Sequence, residues 1–412
     1  MNTQEPDQRK QSPRALKAAA QVMLLVGLVP LGIAAGWQSL SPTPKALVAR
    51  AANGADAAAL LELVERAGSQ QAADAELRDL LRSDAAAAHK LAALSAGNEL
   101  ALQYLISLAR TQPETLVFLA DLEIGYSFAL EMLRQLSPAA IAPLKDYAAT
   151  CANARFLLGV AYENGYHVAQ DWVAAAHWYR QAAELGYRTA EPYAELAAYE
   201  AGVVCYADAG RQQMAASWFR LAAERGHAAA QCALGVCYAA GHGVAQDLQE
   251  AVRWYGKAAA QDYTDALYNL GWCYLHGEGV QADATAAASW FHRAALHGDD
   301  MAQYYLGRAY ELGQGMPQDY PLAIHWYRQA AGNQQNDAAQ CALGHCYAQG
   351  KGVEQNWQLA AHWYKLSAER GRAEAQLALA HCYEQGLGTG RDATTARYWR
   401  ERATHHSQPT PP

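Results

Sequence analysis

Apolar and polar positions in the second half of this chain form two helical runs that repeat together. The clearest unit covers residues 231–259. Its first run has apolar residues at helical spacing, which predicts a helix that we term helix A. A Gly-x-Gly element at 241–243 then ends that helix, and Asp247 lies where an N-cap is expected. The second run, which contains a Trp-Tyr pair at 254–255, predicts helix B.

The characteristic residues of this unit recur along the chain with a spacing of 36 residues, and once of 37. The helix A glycine is found at Gly235, Gly271, Gly307 and Gly344. The helix A tyrosine is found at Tyr238, Tyr274, Tyr310, Tyr347 and Tyr383. The helix B tryptophan is found at Trp254, Trp290, Trp326, Trp363 and Trp399. A tandem period of this size indicates a repeat array and outweighs any local signal.

One helical hairpin cannot bury its apolar face alone, whereas stacked neighbours can. The predicted fold class is therefore all-α, an α-solenoid of stacked antiparallel helix pairs with an N-terminal transmembrane helix. The solenoid covers residues 151–403 in about seven repeats. One of them, at 192–226, is degenerate, because it lacks the Gly-x-Gly-Val loop and its Tyr206 lies only 12 positions before Trp218, against 16 elsewhere.

The repeated pattern resembles a known family. It reads A-x-x-x-L-G-x-x-Y-x-x-G-x-G-V-x-x-D, followed by A-x-x-W-Y-x-x-A-A, over about residues 153–403. This pattern is similar to the Sel-one-like repeat, a relative of the tetratricopeptide repeat. The resemblance implies an adaptor that holds other proteins, in bacterial envelope, virulence or signalling settings or in eukaryotic quality control.

The N-terminal region has the pattern of an exported protein. Residues 1–17 are polar and basic, which predicts a cytoplasmic N-terminus, and residues 18–37 are almost all apolar. Twenty residues span a bilayer core of about 30 Å, so 18–37 predicts a transmembrane anchor. A cleaved signal peptide is the alternative. The first interpretation places a single-pass protein in the inner membrane with its solenoid in the periplasm, and the second exports it after cleavage.

The remaining segments carry weaker signals. Residues 38–53, rich in Ser, Thr and Pro, read as a linker. Residues 54–150 have amphipathic helical spacing without the repeat, and either continue the solenoid or form a separate helical cap. Residues 404–412 read as a disordered tail.

The net charge and the positions of the cysteines bear on the type of partner and on the type of site. A formal charge of −8 without a basic stripe argues against nucleic acid as a partner. Five of the eight cysteines directly precede the helix A tyrosine, in a slot that Ala161 and Ala309 also fill, so they read as small buried thiols. One or two disulfides, or metal or redox use, are the alternatives. The sequence leaves the oligomeric state open.

We find no catalytic motif and predict neither an enzyme nor a cofactor. The Gly-x-Gly-Val elements recur between two helices without a preceding strand, so they read as turns rather than nucleotide loops. The aspartates after them fit N-caps better than calcium ligands. The Trp-Tyr pairs recur at core spacing, which favours packing over a stacking surface for sugars or bases.

Positions that vary within the fixed frame are the candidate binding residues. The slot after the helix A glycine and the slot three residues before it share one helix face. In stacked helix pairs of this kind, helix A lines the concave surface, so we expect a polar and aromatic strip there. Its residues are Asn269, Trp272, Tyr305, Arg308, His345 and His381. Trp, Tyr and Arg dominate the energetics of interfaces.

Three functional hypotheses follow. The first is a non-enzymatic protein-interaction scaffold of the bacterial cell envelope, anchored through residues 18–37, that holds a protein or peptide on the concave face. The second is a secreted effector or host-factor binder, which requires signal cleavage. The third is an envelope enzyme whose catalytic groups lie within residues 54–150.

Overall fold

The structure is a computed structural model that describes residues 42–52, 56–83, 98–111, 126–136, 138–332 and 336–406, with single positions 87, 90, 91 and 94. The chain divides into two compact units, residues 1–107 and 108–412. Every secondary-structure element in the described ranges is helical. None of those helices is long and apolar enough to span a bilayer. The predicted anchor at 18–37 lies outside the described residues.

The first unit contains a helix where we expected a linker. Helix α1 covers Pro44–Ala51 and packs against α2 (Ala57–Ala67) and α3 (Gln71–Ser83). The linker prediction for 38–53 is therefore wrong for these eight residues. Thr43 accepts a hydrogen bond from the amide of Ala46 at 3.3 Å, and Leu47 is fully buried. Proline is tolerated in a first helical turn, so this segment is capped rather than broken.

Helices without the repeat pattern lead into the solenoid. Helix α4 covers Glu99–Thr111, across the boundary between the two units. Within the second unit, α5 (Tyr126–Gln135) and α6 (Ile141–Tyr147) both contact the first helix A. Ile141 and Leu144 of α6 are buried. These two helices cover an apolar face that the first repeat would otherwise leave exposed to water.

Seven helix pairs follow one another from residue 152, and each helix packs on its neighbours in the chain. The first four pairs are α7–α8 (Ala152–Asn164, Trp172–Glu184), α9–α10 (Glu191–Tyr206, Gln212–Glu224), α11–α12 (Ala228–Ala240, Leu248–Ala259) and α13–α14 (Thr264–His276, Ala284–Leu296). The last three pairs are α15–α16 (Asp300–Leu312, Tyr320–Gly332), α17–α18 (Asp337–Gln349, Trp357–Glu369) and α19–α20 (Ala373–Gln385, Ala393–His406). The predicted all-α solenoid of stacked helix pairs is confirmed.

Two local expectations need correction. Helix α20 extends to His406, three residues into the predicted disordered tail, and Ala403 in its last turn is buried. The degenerate second pair keeps a regular helix A of 16 residues, and a short 3-10 turn at Ala209–Arg211 replaces the glycine loop.

The two helices of a pair touch where the helix A glycine meets an aromatic ring of helix B. A Cβ atom on Gly271 would lie 2.6 Å from two ring carbons of Phe291, closer than any side chain tolerates. The last pair has Ala380 in this slot, and its partner position is Arg400 instead of an aromatic residue. Ala380 is fully buried in the core of the last pairs. The repeat that has alanine in the glycine slot is thus also a repeat without an aromatic residue at the partner position.

In the aromatic pairs at 290–291 and 326–327, the second ring is the more deeply buried one. Tyr327 and Phe291 are almost fully buried, whereas Trp290 and Trp326 of the same helices are half-buried at the edge of the core. The ammonium of Lys257 lies 3.5 Å from the ring centre of Trp254, which covers the outer side of that ring. Trp290 and Trp326 thus border the core, whereas Trp218 and Trp254 are themselves buried.

Loops and caps follow the predicted slots. Gly243 has a φ of +74°, and a Cβ there would lie 2.1 Å from the carbonyl oxygen of Gln212 in the preceding helix B. The loop is therefore a close contact between repeats. The residues before the B helices accept amide hydrogen bonds as N-caps, which confirms the prediction; they are Asp171, Asp247, Asp283, Asp319, Asn356 and Asp392.

Two A helices begin with a buried or half-buried cap. Asp299 accepts a hydrogen bond from the amide of Ala302 at 2.6 Å, and Asn336 accepts from the amide of Ala339 at 2.8 Å. Burial raises the pKa of Asp299 above its usual value. In the next repeat, the neutral amide of Asn336 caps the helix in the same way.

Candidate functional site

The strip residues, defined above as the six variable helix A positions, do not share one environment. Asn269 and Tyr305 pack against neighbouring helices. Asn269 Nδ2 donates to Sγ of Cys232 in the preceding repeat at 3.6 Å. The ring of Tyr305 stacks on Phe291, with centroids 5.2 Å apart and an interplanar angle of 17°. Both side chains therefore join one repeat to the previous one.

Trp272 is half-buried and extends the aromatic contact made by Tyr305. Its ring lies 5.7 Å from Tyr305, edge to face, and 4.2 Å from His276 on the next turn of α13. Its indole Nε1 donates to Glu278 at 3.4 Å. The tryptophan and the tyrosine thus form a continuous aromatic surface across two repeats.

Arg308 is exposed and borders two adjoining cavities. The first cavity, of about 210 Å³, includes His276, Phe291 and Tyr305 in its lining. We term it the aromatic cavity. The guanidinium of Arg308 lies 6.0 Å from the ring centre of Tyr304. Among the described residues, no carboxylate lies within ion-pair distance of Arg308, so its charge is available to a ligand.

The second cavity, of about 290 Å³, is polar and lies between three successive A helices. We term it the polar cavity. Its lining comprises Tyr304, Arg308, Glu311, Tyr327, Ala338, Cys341, Ala342, His345, Arg372 and Glu374. The buried hydroxyl of Tyr327 donates to Glu311 at 2.6 Å, which leaves this carboxylate partly satisfied before any ligand enters.

His345 lines the polar cavity, whereas His381 does not. The imidazole of His345 lies edge-on to Tyr364 with centroids 5.2 Å apart, and its Nδ1 is 3.9 Å from Glu374 Oε1. His381, one repeat further on, is exposed and lines neither cavity. The structure therefore gathers Trp272, Tyr305, Arg308 and His345, and leaves Asn269 and His381 apart.

A comparison with protein families decides the identity of the repeats. The Sel1 repeat profile matches residues 152–187, 195–227, 228–263, 264–299, 300–333, 337–371 and 373–405, which together exceed half of the chain. The chain belongs to the Sel1 repeat family. This agrees with the resemblance to Sel-one-like repeats read from the sequence. Sel1 repeats form helical scaffolds that are generally non-enzymatic and typically bind protein partners.

Two solved structures of bacterial repeat proteins are similar to the chain. The protective antigen c5321 of uropathogenic Escherichia coli, which has the same repeat fold, is 29% identical at a TM-score of 0.57; the match covers 74% of this chain and 64% of that one. A Sel1 repeat protein from Oxalobacter formigenes is 32% identical at a TM-score of 0.48, over 51% of this chain and 86% of that one. No curated protein matches the chain.

The cysteines of the Sel1 repeats are buried thiols. The seven from Cys205 onward are free and buried. Burial raises the pKa of Cys232, Cys341 and Cys346 to about 12. A protonated, buried thiol is a poor nucleophile, which argues against a cysteine-based hydrolase in the polar cavity. Of these three, Cys341 lies at the cavity wall.

The sequence interpretation missed part of the polar cavity. Cys341 and His345 lie four residues apart on α17, a spacing that places two side chains on one helix face. That signal was present in the sequence, but the cysteine slot holds tyrosine or leucine in other repeats and read as core. Arg372 and Glu374 come from the start of the next repeat, and no local pattern connects them to α17.

A third cavity lies between two B helices of the first repeats. It has a volume of about 650 Å³ and is mainly apolar, with Val173, His177, Met214, Trp218 and Leu221 among its lining residues. His177 packs edge-on to Trp218 at 4.8 Å, and burial lowers the pKa of this histidine. This cleft is on the opposite helix set from the strip residues, so it is separate from the site above.

Proposed function

We propose that this chain is a non-enzymatic protein-binding scaffold of the bacterial cell envelope, with the aromatic and polar cavities as its binding site. One observation carries the proposal. The residues that differ between otherwise equal repeats, among them Tyr305, Arg308 and His345, line two cavities that meet at Arg308. The residues that are the same in every repeat form the fold. The surface residues that differ between repeats can therefore determine which partner binds.

The chemistry of the two cavities indicates the type of segment that they receive. Trp272 and Tyr305 offer an aromatic surface, and Arg308 supplies an adjacent charge that no carboxylate of the described residues pairs with. Arginine binds carboxylates through two parallel hydrogen bonds, and aromatic residues supply most of the contact energy at interfaces. We therefore expect a peptide or loop that presents an apolar side chain next to an acidic group.

The envelope setting rests on the N-terminal pattern. A basic segment at 1–17 before the apolar segment at 18–37 supports a single-pass inner-membrane protein with its solenoid in the periplasm. In this arrangement the concave face, formed by the A helices, meets periplasmic partners. The c5321 antigen, which is similar to this chain, comes from a bacterium, which fits this setting.

The first experiment compares two double variants in a pull-down from bacterial membranes. Trp272→Ala with Arg308→Ala removes the proposed contacts, and Trp290→Ala with Arg253→Ala removes the same residue types from B helices. Trp290 is half-buried like Trp272, and Arg253 is exposed like Arg308, so the pair is matched. Far-UV circular dichroism verifies that both variants fold.

The expected result is a partner retained by wild type and the B-helix variant but lost by the A-helix variant. Calorimetry with the purified partner should then give saturable binding, weakened at least about tenfold by the A-helix changes, since a hot-spot residue contributes about 2 kcal/mol or more. Equal recovery of every partner by both variants contradicts the proposed site.

The location is tested separately by N-terminal sequencing of the mature protein from fractionated cells. An intact N-terminus in the inner-membrane fraction supports the anchor. A new N-terminus after residue 37 in the soluble exported fraction supports the secreted alternative, an effector or host-factor binder. Recovery of intact protein from the cytoplasm alone contradicts both forms of export.

A further inference from the structure

Three side chains that can bind a metal meet in the polar cavity. They are Cys341, His345 and Glu374, and each offers one donor atom within 4.8 Å of the other two. We propose that they form a binding site for a divalent ion of the zinc class. Sulfur, imidazole nitrogen and carboxylate oxygen are the donors that zinc takes in proteins, normally in a tetrahedral arrangement.

The three donor residues all lie on regular helices. Cys341 and His345 are one helical turn apart on α17, so both side chains project from the same face. Glu374 lies in the first turn of α19, the helix A of the next repeat. Zinc bonds of about 2.0–2.3 Å place tetrahedral donors roughly 3.5 Å apart, so small side-chain rotations close the set around an ion.

Neighbouring charges hold the carboxylate in place. Arg372 Nη2 lies 3.4 Å from Glu374 Oε2, and Arg372 Nη1 lies 3.2 Å from Asp337. The other oxygen, Glu374 Oε1, is on the side of His345 at 3.9 Å from Nδ1. Hydrogen-bonded outer partners of this kind orient metal ligands and contribute to affinity. A thiolate and a carboxylate also balance the two charges of the ion.

The equivalent positions of the other repeats compared do not carry this set of three metal-binding side chains. The slots of Cys341, His345 and Glu374 are filled in earlier described repeats by the triplets Cys232–Val236–Asp265, Tyr268–Trp272–Met301 and Tyr304–Arg308–Ala338. None of these triplets has three donors, so we expect one site of this kind among the repeats that the structure describes. Three protein ligands leave a fourth position open toward the cavity, for water or a side chain of a partner.

The test is a titration of the full chain with Co²⁺, after treatment with a chelator and with a reductant that is not a thiol. Cobalt in a site with a cysteine ligand gives a thiolate charge-transfer band and the visible bands of tetrahedral coordination. We expect both to saturate at one equivalent and to be lost when Zn²⁺ is added, because zinc binds such sites more tightly than cobalt.

Variants of the three donors identify the site. Cys341→Ser should remove the charge-transfer band, and His345→Ala and Glu374→Gln should each weaken cobalt binding at least about tenfold. Cys346→Ser and His381→Ala are the matched controls. Cys346 is buried on the same helix, and His381 occupies the slot of His345 one repeat later. Both controls should bind cobalt like wild type.

Several results would overturn the proposal. These are the absence of a thiolate band in the wild type, an unchanged band in Cys341→Ser, or equal weakening by the control variants. Cobalt bound without a thiolate band means only adventitious binding elsewhere. His345→Ala keeps the test decisive if Cys341→Ser does not fold, because His345 is partly exposed and its loss leaves the buried thiol in place. The pull-down described above is independent of this result.

Discussion

The same substitution, glycine to alanine, should have opposite effects at two helical glycines. Gly256 in α12 has no atom within 4 Å of an added Cβ, whereas an added Cβ on Gly271 in α13 meets two ring carbons of Phe291 at 2.6 Å. Alanine favours a helix interior over glycine by about 1 kcal/mol. Gly256→Ala should therefore raise the free energy of unfolding by about that amount.

At Gly271 the steric cost exceeds the gain. Overpacking a core costs about 1–3 kcal/mol. Phe291 cannot move aside easily, because Tyr305 stacks on it at 5.2 Å and Tyr268 lies 5.9 Å away. We place the cost in the upper part of that range, which leaves Gly271→Ala destabilised by about 1–2 kcal/mol after the helical gain.

Urea denaturation followed by far-UV circular dichroism measures both effects. The midpoint should rise for Gly256→Ala and fall for Gly271→Ala. In a Phe291→Leu background the cost of Gly271→Ala should shrink by about 1 kcal/mol or more, because the two side chains are in contact and their effects are not additive. A neutral or stabilising Gly271→Ala, or an unchanged cost beside Leu, would refute the ring-against-glycine account.

Three further predictions concern hydrogen bonds and caps. Tyr327→Phe removes the hydroxyl that donates to Glu311 and should lower the free energy of unfolding by about 1.5–3 kcal/mol in urea denaturation; Tyr364→Phe, whose repeat lacks this glutamate, should cost less. Asp299→Asn should raise the thermal midpoint at pH 7, because burial raises the pKa of Asp299 and the charged form is the costly one. That advantage should vanish as the pH falls through the raised pKa and below the usual 3.8; a difference that grows in acid would contradict this sign. Asp283→Ala removes the N-cap of α14 and should cost about 1 kcal/mol in urea denaturation, with Asp283→Asn as a near-neutral control.

Local signals in the sequence were sufficient for the frame of the solenoid. Helix pairs, N-caps and glycine turns depend on residues within a few positions of one another, so a repeated pattern identifies them. The acidic cap at Asp247 and the turn at Gly243 are examples. The helix at Pro44–Ala51 was missed because its Thr and Pro content also suits a linker, and burial of Leu47 against neighbouring helices decides the outcome.

The binding features depended on the tertiary structure. The sequence suggested a strip of six variable residues, but how one repeat stacks on the next determines that Tyr305 stacks on Phe291 in the wall of one cavity while Arg308 borders both. The approach of Glu374 to Cys341 and His345 likewise depends on the offset between consecutive pairs. The repeat period in the sequence shows which residues occupy equivalent positions. The rotation and translation between consecutive helix pairs decide which of these residues come into contact. The sequence pattern does not give that rotation and translation, because they result from packing summed over many contacts.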